Sequence, residues 1–331
     1  MKVFVLRASL FFTMVACCYA VMAALLEWNI PTDHKEAIRY FSSTKLKHKR
    51  AQDIERPMLL LAGGSNLPYG VNSASLQEAL QIPVVNLGQN GSLGLPWILE
   101  ELRYLADSGD MVVLVPEYYI TAKYAVQRQM PMATGKARHF HRTNYIKETS
   151  VHIARTRSKL AQYMAGSYVP DTTALLAADT ALVNHKGFNG FGDISRYNNI
   201  GSYYNAPIGG PRFRAPANWQ GTQQLNEFAA YARAHHIEVF YMYPPFSAKL
   251  FEKNKVVLEG YHQNDPAHLD LEILGTPYDF LVADTCLYDS QFHLNQNSVE
   301  ARTTKMIALL QANPKANACA KRIAALYASD S

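Results

Sequence analysis

Met58-Leu59-Leu60-Leu61-Ala62-Gly63-Gly64-Ser65-Asn66 is an apolar run of strand length that breaks at two glycines and delivers a serine. An unbroken apolar run of this kind reads as a strand buried on both faces, as in a parallel sheet covered by helices. In such sheets chemistry collects at the carboxyl ends of the strands, and glycines there let a substrate come close to the backbone. Ser65 is therefore the first candidate nucleophile. The rival reading is a plain tight turn, and the choice depends on whether the rest of the chain supplies a base and an oxyanion site.

On the carboxyl side, Ser75-Leu76-Gln77-Glu78 fits a capping box for a short helix, and Ile82–Gly88 reads as a second strand. Pro96 opens an amphipathic helix with Ile98, Leu99, Leu102 and Leu105 at helical spacing, and Met111–Val115 is a third strand. This βαβ rhythm predicts an α/β fold with a parallel sheet. An insertion at about 121–221 interrupts it. Helical patterns near Thr149–Met164 and Thr172–Val183 precede a Gly-, Asn- and Tyr-rich stretch from Lys186 to Asn218. Structureless stretches this long are uncommon unless they carry function or are disordered. The rhythm resumes with a helix over Leu225–His236, a fourth strand at Glu238–Pro244, a fifth at Tyr278–Ala283 and a closing helix at Ser298–Leu310.

The 331-residue chain carries 32 basic and 27 acidic residues, and its net charge of +5 is too mild to argue for nucleic acid. Four cysteines without CxxC spacing do not make a disulfide scaffold or a zinc site. Residues 8–28 carry one charge, Glu27, over about the 20 residues a bilayer-spanning helix needs. They read as an uncleaved anchor; a cleaved signal peptide ending near Cys18-Tyr19-Ala20 is the alternative. Residues 29–57 then form a juxtamembrane connector whose cluster Lys45, Lys47, Lys49 and Arg50 reads as a solvated face beside lipid headgroups. Residues 58–331 form the main domain, expected outside the cytoplasmic (inner) membrane in the periplasm or extracellular space. In that oxidising setting Cys286 and Cys319 are either paired or two free thiols, and both readings stay open.

Asp289-Ser290-Gln291-Phe292-His293 lies between the last strand and the last helix, on the sheet edge that presents Ser65. There His293 is placed to take the serine proton, with Asp289 orienting the imidazole. The stretch Gly187–Asp193 through Tyr203-Tyr204-Asn205 has the composition of a sugar-facing loop, with Asn189 and Asp193 as candidate substrate contacts and Asp193 as an alternative partner for His293. His139-Phe140-His141 lacks a carboxylate partner and is no metal site, and no cofactor is expected.

Gly63-Gly64-Ser65-Asn66, Asn86-Leu87-Gly88, and Asp289 with His293 are similar to the spaced blocks of the SGNH, or GDSL-type, hydrolase superfamily. Together with the N-terminal apolar segment, the pattern resembles extracytoplasmic proteins of D-alanyl transfer and alginate O-acetylation. The resemblance implies a three-layer α/β/α sandwich on a five-stranded, flavodoxin-like parallel sheet, and serine acyl chemistry on esters of a cell-envelope or exported polysaccharide. It also implies a possible membrane-bound O-acyltransferase partner. By the same resemblance, the Ser65 and Gly88 N–H groups are oxyanion donors, His293 is the base and Asp289 its partner. Three features depart from the family pattern. Gly64 replaces a common Asp, Asp289 and His293 are four residues apart instead of three, and Pro116-Glu117-Tyr118 stands where a Gly-x-Asn-Asp block is usual. Gln89 and Asn90 are the substitutes considered for the third donor. The competing class is a glycan-binding or assembly protein that keeps the fold without catalysis.

Overall fold

The computed structural model describes residues 43–44, 46–120, 187–194 and 220–328, with residues 4, 6–15, 17–18, 122, 157, 161, 164–165 and 213. The chain divides into two compact units, residues 1–38 with 143–180 and residues 39–142 with 181–331. In the first, residues 6–15 are helical, and Phe4, Leu6, Leu10, Phe11, Phe12 and Met14 are exposed. Among the described residues no helix is long and apolar enough to cross a membrane. Residues 19–28 of the expected anchor lie outside the described residues, as do the expected helices at 172–183 and most of 149–164, His139, His141 and the Tyr203-Tyr204-Asn205 stretch.

The second unit is built on a parallel five-stranded sheet. In chain order its strands are β1 (Leu59–Gly63), β2 (Val84–Asn86), β3 (Met111–Val115), β4 (Glu238–Met242) and β6 (Glu272–Leu274). Their spatial order is β2-β1-β3-β4-β6. Every residue of β1 and β3 is buried, which is why these strands are apolar throughout and show no alternation. The chain leaves β1 toward one edge and returns to β3 on its other side, so the β1/β3 boundary is the topological switch point where ligands collect.

Short helices α1 (Ser73–Leu80) and α2 (Leu95–Leu105) follow β1 and β2. The Asn72 side chain caps α1 by accepting from the Ser75 N–H, and Pro96 sits in the first turn of α2, where a missing N–H costs nothing. Helix α3 (Gly221–Ala234) buries Leu225, Phe228 and Ala232 and packs against α2 and β4. Helices α4 (Ala248–Lys253) and α5 (Lys255–His268) follow, and α6 (Gln296–Ala312) and α7 (Pro314–Ala328) close the chain. Helix α6 packs on α1 and α7.

Two expectations change, and one reading left open is decided. The fifth strand of the sheet is Glu272–Leu274, while Pro277–Phe280 is a 3-10 turn. Leu281–Val282 (β7) pairs instead with Phe246–Ser247 (β5) in a separate two-stranded sheet. A tight capped turn, with Asp279 accepting from the Thr276 N–H and hydroxyl, takes the residues that read as strand. The latter half of the expected connector belongs to the domain. Ala51 and Lys47 are fully buried, His48 bonds Glu101 at 2.7 Å, and Arg50 Nε donates to the Val84 carbonyl at 2.9 Å. Cys286 and Cys319 are free thiols, the second buried, and burial pushes it up to about 11.

Candidate active site

Parallel pairing sets Gly63 beside Val115, so β1 and β3 end level and Ser65 and Glu117 each lie two residues beyond. After Gly64 the chain turns sharply. The Leu67 N–H donates to the Gly64 carbonyl at 3.3 Å and the Tyr69 N–H to the Ser65 carbonyl at 3.2 Å, which holds Ser65 half-exposed above the buried strand.

The loop from β7 to α6 folds back on itself. Leu287 and Leu294 bridge, the Tyr288 N–H donates to the His293 carbonyl at 2.8 Å, and the Asn295 N–H donates to the Cys286 carbonyl at 2.9 Å. Phe292 pins the tip among Phe246 and Tyr118. The returning strand brings His293 over Ser65, with Nε2 2.7 Å from Ser65 Oγ and Nδ1 2.6 Å from Asp289 Oδ1. A carboxylate only accepts, so Nδ1 carries the proton and Nε2 is left to accept from the Ser65 hydroxyl. Tyr69 stacks on the imidazole at 4.2 Å and 9°. The His293 side chain is 15% exposed and that of Asp289 47%, so the imidazole is shielded while the carboxylate faces solvent.

The other candidate residues sit elsewhere. The Gly88 N–H, the expected second oxyanion donor, already donates to Asn86 Oδ1 at 2.9 Å, and Lys47 Nζ bonds the Gly88 carbonyl. Gln89 is buried; its N–H donates to the Gly63 carbonyl and its Nε2 to Thr44 Oγ1 at 2.9 Å. Asn90 is half-buried beside it. Asp193 does not meet His293. It accepts from the Ser73 hydroxyl at 2.6 Å, the Ser73 N–H at 2.9 Å and Asn86 Nδ2 at 2.8 Å. Asn189 Oδ1 accepts from the N–H groups of Phe191, Gly192 and Asp193, closing its own loop. The aromatics of that loop are engaged too, with Lys47 over Phe188 and Arg50 over Phe191. Residues 187–194 are thus a packed brace whose Asp193 reaches Gly88 through Asn86. A cavity of about 270 Å³ lies between this brace and α6, lined by Asn72, Asn189, Asp193, Gln296 and Glu300.

Four residues to which the sequence reading assigns no role surround Ser65 and His293. Tyr69 stacks on the His293 ring. Asn66, fully buried, donates from Nδ2 to the Val115 carbonyl at 2.8 Å. Arg302 of α6 grips Asn66 through its carbonyl at 2.6 Å and Oδ1 at 2.8 Å. Glu117 accepts from the Asn66 N–H at 3.3 Å. Two of them leave a sequence signal: Asn66 closes the Gly-Gly-Ser-Asn block, and Glu117 follows β3 by the same two residues by which Ser65 follows β1. Among the described residues no group of three His, Cys, Asp or Glu side chains is placed to hold a metal ion. Compared with family models and with curated proteins, the chain gives no match.

Proposed function

We propose that the protein is a serine esterase or O-acyltransferase that works through an acyl-enzyme on Ser65. One observation carries this reading: His293 bridges Ser65 and Asp289 with bonds of 2.7 and 2.6 Å, at the switch point of a parallel sheet. In the first half-reaction Ser65 Oγ attacks the ester carbonyl carbon as its proton passes to His293 Nε2. The tetrahedral intermediate then collapses, and the departing alcohol takes that proton. In the second, water or an acceptor hydroxyl gives its proton to His293 and attacks the acyl carbon, and Ser65 recovers the proton as it leaves. Asp289 stabilises the imidazolium in both halves. The Ser65 N–H is the oxyanion donor.

The resemblance to SGNH-type proteins extends the reading to a three-layer, flavodoxin-like domain. Its substrate is an acyl, most simply acetyl, ester of a cell-envelope or exported polysaccharide. The apolar residues 8–28 anchor it as a single-pass protein of the cytoplasmic membrane, with the main domain outside, beside a membrane-bound O-acyltransferase. The exposed Phe4, Leu6, Leu10, Phe11, Phe12 and Met14 fit that role. A second reading, a non-catalytic SGNH-like glycan-binding or assembly protein, is favoured by one fact: the Gly88 N–H is held by Asn86.

Turnover of p-nitrophenyl acetate and labelling by a fluorophosphonate probe separate the two. The enzyme reading expects both in the wild type and neither in Ser65→Ala. Binding of an acylated polysaccharide with no labelling at Ser65 supports the second reading.

A further inference from the structure

Glu117 is a buried acid that the mechanism above leaves idle. Its carboxyl is wedged where two glycines make room. A Cβ added at Gly64 would lie within 2.0 Å of both carboxyl oxygens, and one at Gly91 would lie 2.8 Å from Oε2. Oε1 accepts from the Asn66 N–H at 3.3 Å and from Asn66 Nδ2 at 3.2 Å, while Oε2 is buried with no partner among the described residues.

The groups facing it come from four elements. The turn after β1 offers Asn66, and the loop after β2 offers Gly91 and no charge. The loop before α6 offers His293, whose charge is felt at Glu117, and the loop after β3 offers Glu117's own N–H, while Arg302 of α6 bonds Asn66 through both Nη atoms. Among the described residues no lysine or arginine bonds the carboxyl. A carboxylate buried with one oxygen bare and no counter-ion is far costlier than the neutral acid. Burial accordingly pushes Glu117 above the ordinary carboxylate range, and the Asn66 bonds oppose that shift more weakly.

We propose that Glu117 is a positioning residue for the Ser65 chemistry, which works as a neutral carboxyl holding the Ser65–Asn66 turn through Asn66 and keeping a second negative charge away from the developing oxyanion. This rests on the acyl-enzyme reading and deepens it. When Glu117 ionises at higher pH, its charge disfavours the oxyanion and strengthens the proton affinity of His293. Glutamine copies the neutral acid in shape and hydrogen bonding without titrating, so Glu117→Gln separates position from charge.

The test uses the full chain as wild type, Glu117→Gln and Glu117→Ala. NMR follows titration of the His293 ring, assigned by its loss in His293→Ala, and fluorophosphonate labelling is followed across pH. Glu117→Gln is expected to leave the His293 titration in place, to label at the wild-type rate near neutral pH, and to lose the fall in labelling that wild type shows on the alkaline side. Glu117→Ala is expected to slow labelling about a hundredfold, the scale of a misplacement of about 1 Å. Because the alanine opens buried space and weakens the fold, the glutamine comparison carries the decision. A His293 titration that moves to lower pH in Glu117→Gln, or labelling as slow as in the alanine variant, overturns the proposal. If wild type does not label at all, the acyl-enzyme reading fails, and the His293 titration alone still decides whether Glu117 is neutral.

Discussion

Ser65, His293 and Asp289 are reached from two ends of the chain, yet their geometry depends on small local devices. The Asp289 carboxylate fixes the tautomer that lets His293 accept a proton, through the 2.6 Å bond to Nδ1. Asp289→Asn removes that selection and is expected to slow Ser65 labelling by about 10²–10⁴, the range of general-base contributions, read as the second-order rate with a fluorophosphonate. Lys47 makes a residue-scale prediction of a different kind. Burial lowers its amino group from the ordinary lysine value to about 8, while the unfolded chain keeps 10.5. Between those values the unfolded state binds the extra proton, so stability rises with pH across that window. Below it the fold carries a buried cation that the Gly88 carbonyl only partly satisfies. Lys47→Met should remove the pH-dependent gain, about 3 kcal/mol over the window, in denaturant melts taken from pH 7 to 11.

At the scale of elements, the site depends on α6 as much as on β1. Arg302 reaches from that helix to the carbonyl and side chain of Asn66, and so ties the closing helix to the turn that holds Ser65. Arg302→Met leaves two buried acceptors without their charged donor and is expected to cost about 2–3 kcal/mol, with slower Ser65 labelling in the fraction that folds. Arg302→Lys should restore little of either, because a single ammonium does not match the forked contact. A helical position such as 302 shows nothing of this in one sequence, because its partner lies 236 residues away. Strand β1 is the opposite situation. Its apolar run and glycine break name both the element and the residue it presents, since complete burial and the turn are written locally. The edge strand β6 is short, partly exposed and unremarkable in sequence, while the more apolar Leu281–Val282 pairs elsewhere. Local apolarity thus points to the wrong segment, because edge position is settled by packing against β4.

For the molecule as a whole, the α/β class and the central strands could be read from the order of patterns, because the βαβ rhythm constrains topology strongly. The environment of Ser65 could not. Lys47, Asn66, Glu117 and Arg302 are brought to Ser65 or Gly88 only by strand register and helix docking, and in the sequence the buried Lys47 looks no different from the exposed Lys49. The brace at 187–194 likewise has the composition of a ligand loop, but its polar groups satisfy one another. The exposed apolar residues between Phe4 and Val15 belong to the other compact unit and lead to a prediction of their own. The full chain should sediment with membranes and resist high-salt extraction, and a chain lacking residues 1–28 should be released. Release of the full chain by salt alone would contradict anchoring.

The central claim is that Ser65 carries the acyl group. Rapid quenching of the protein with p-nitrophenyl acetate, followed by peptide mass mapping, tests it most directly. The account predicts one acetyl group on the Ser65 peptide, absent in Ser65→Ala and formed far more slowly in His293→Ala. A wild-type protein that stays unacetylated at Ser65, or a Ser65→Ala variant that still acetylates at the wild-type rate, would contradict it.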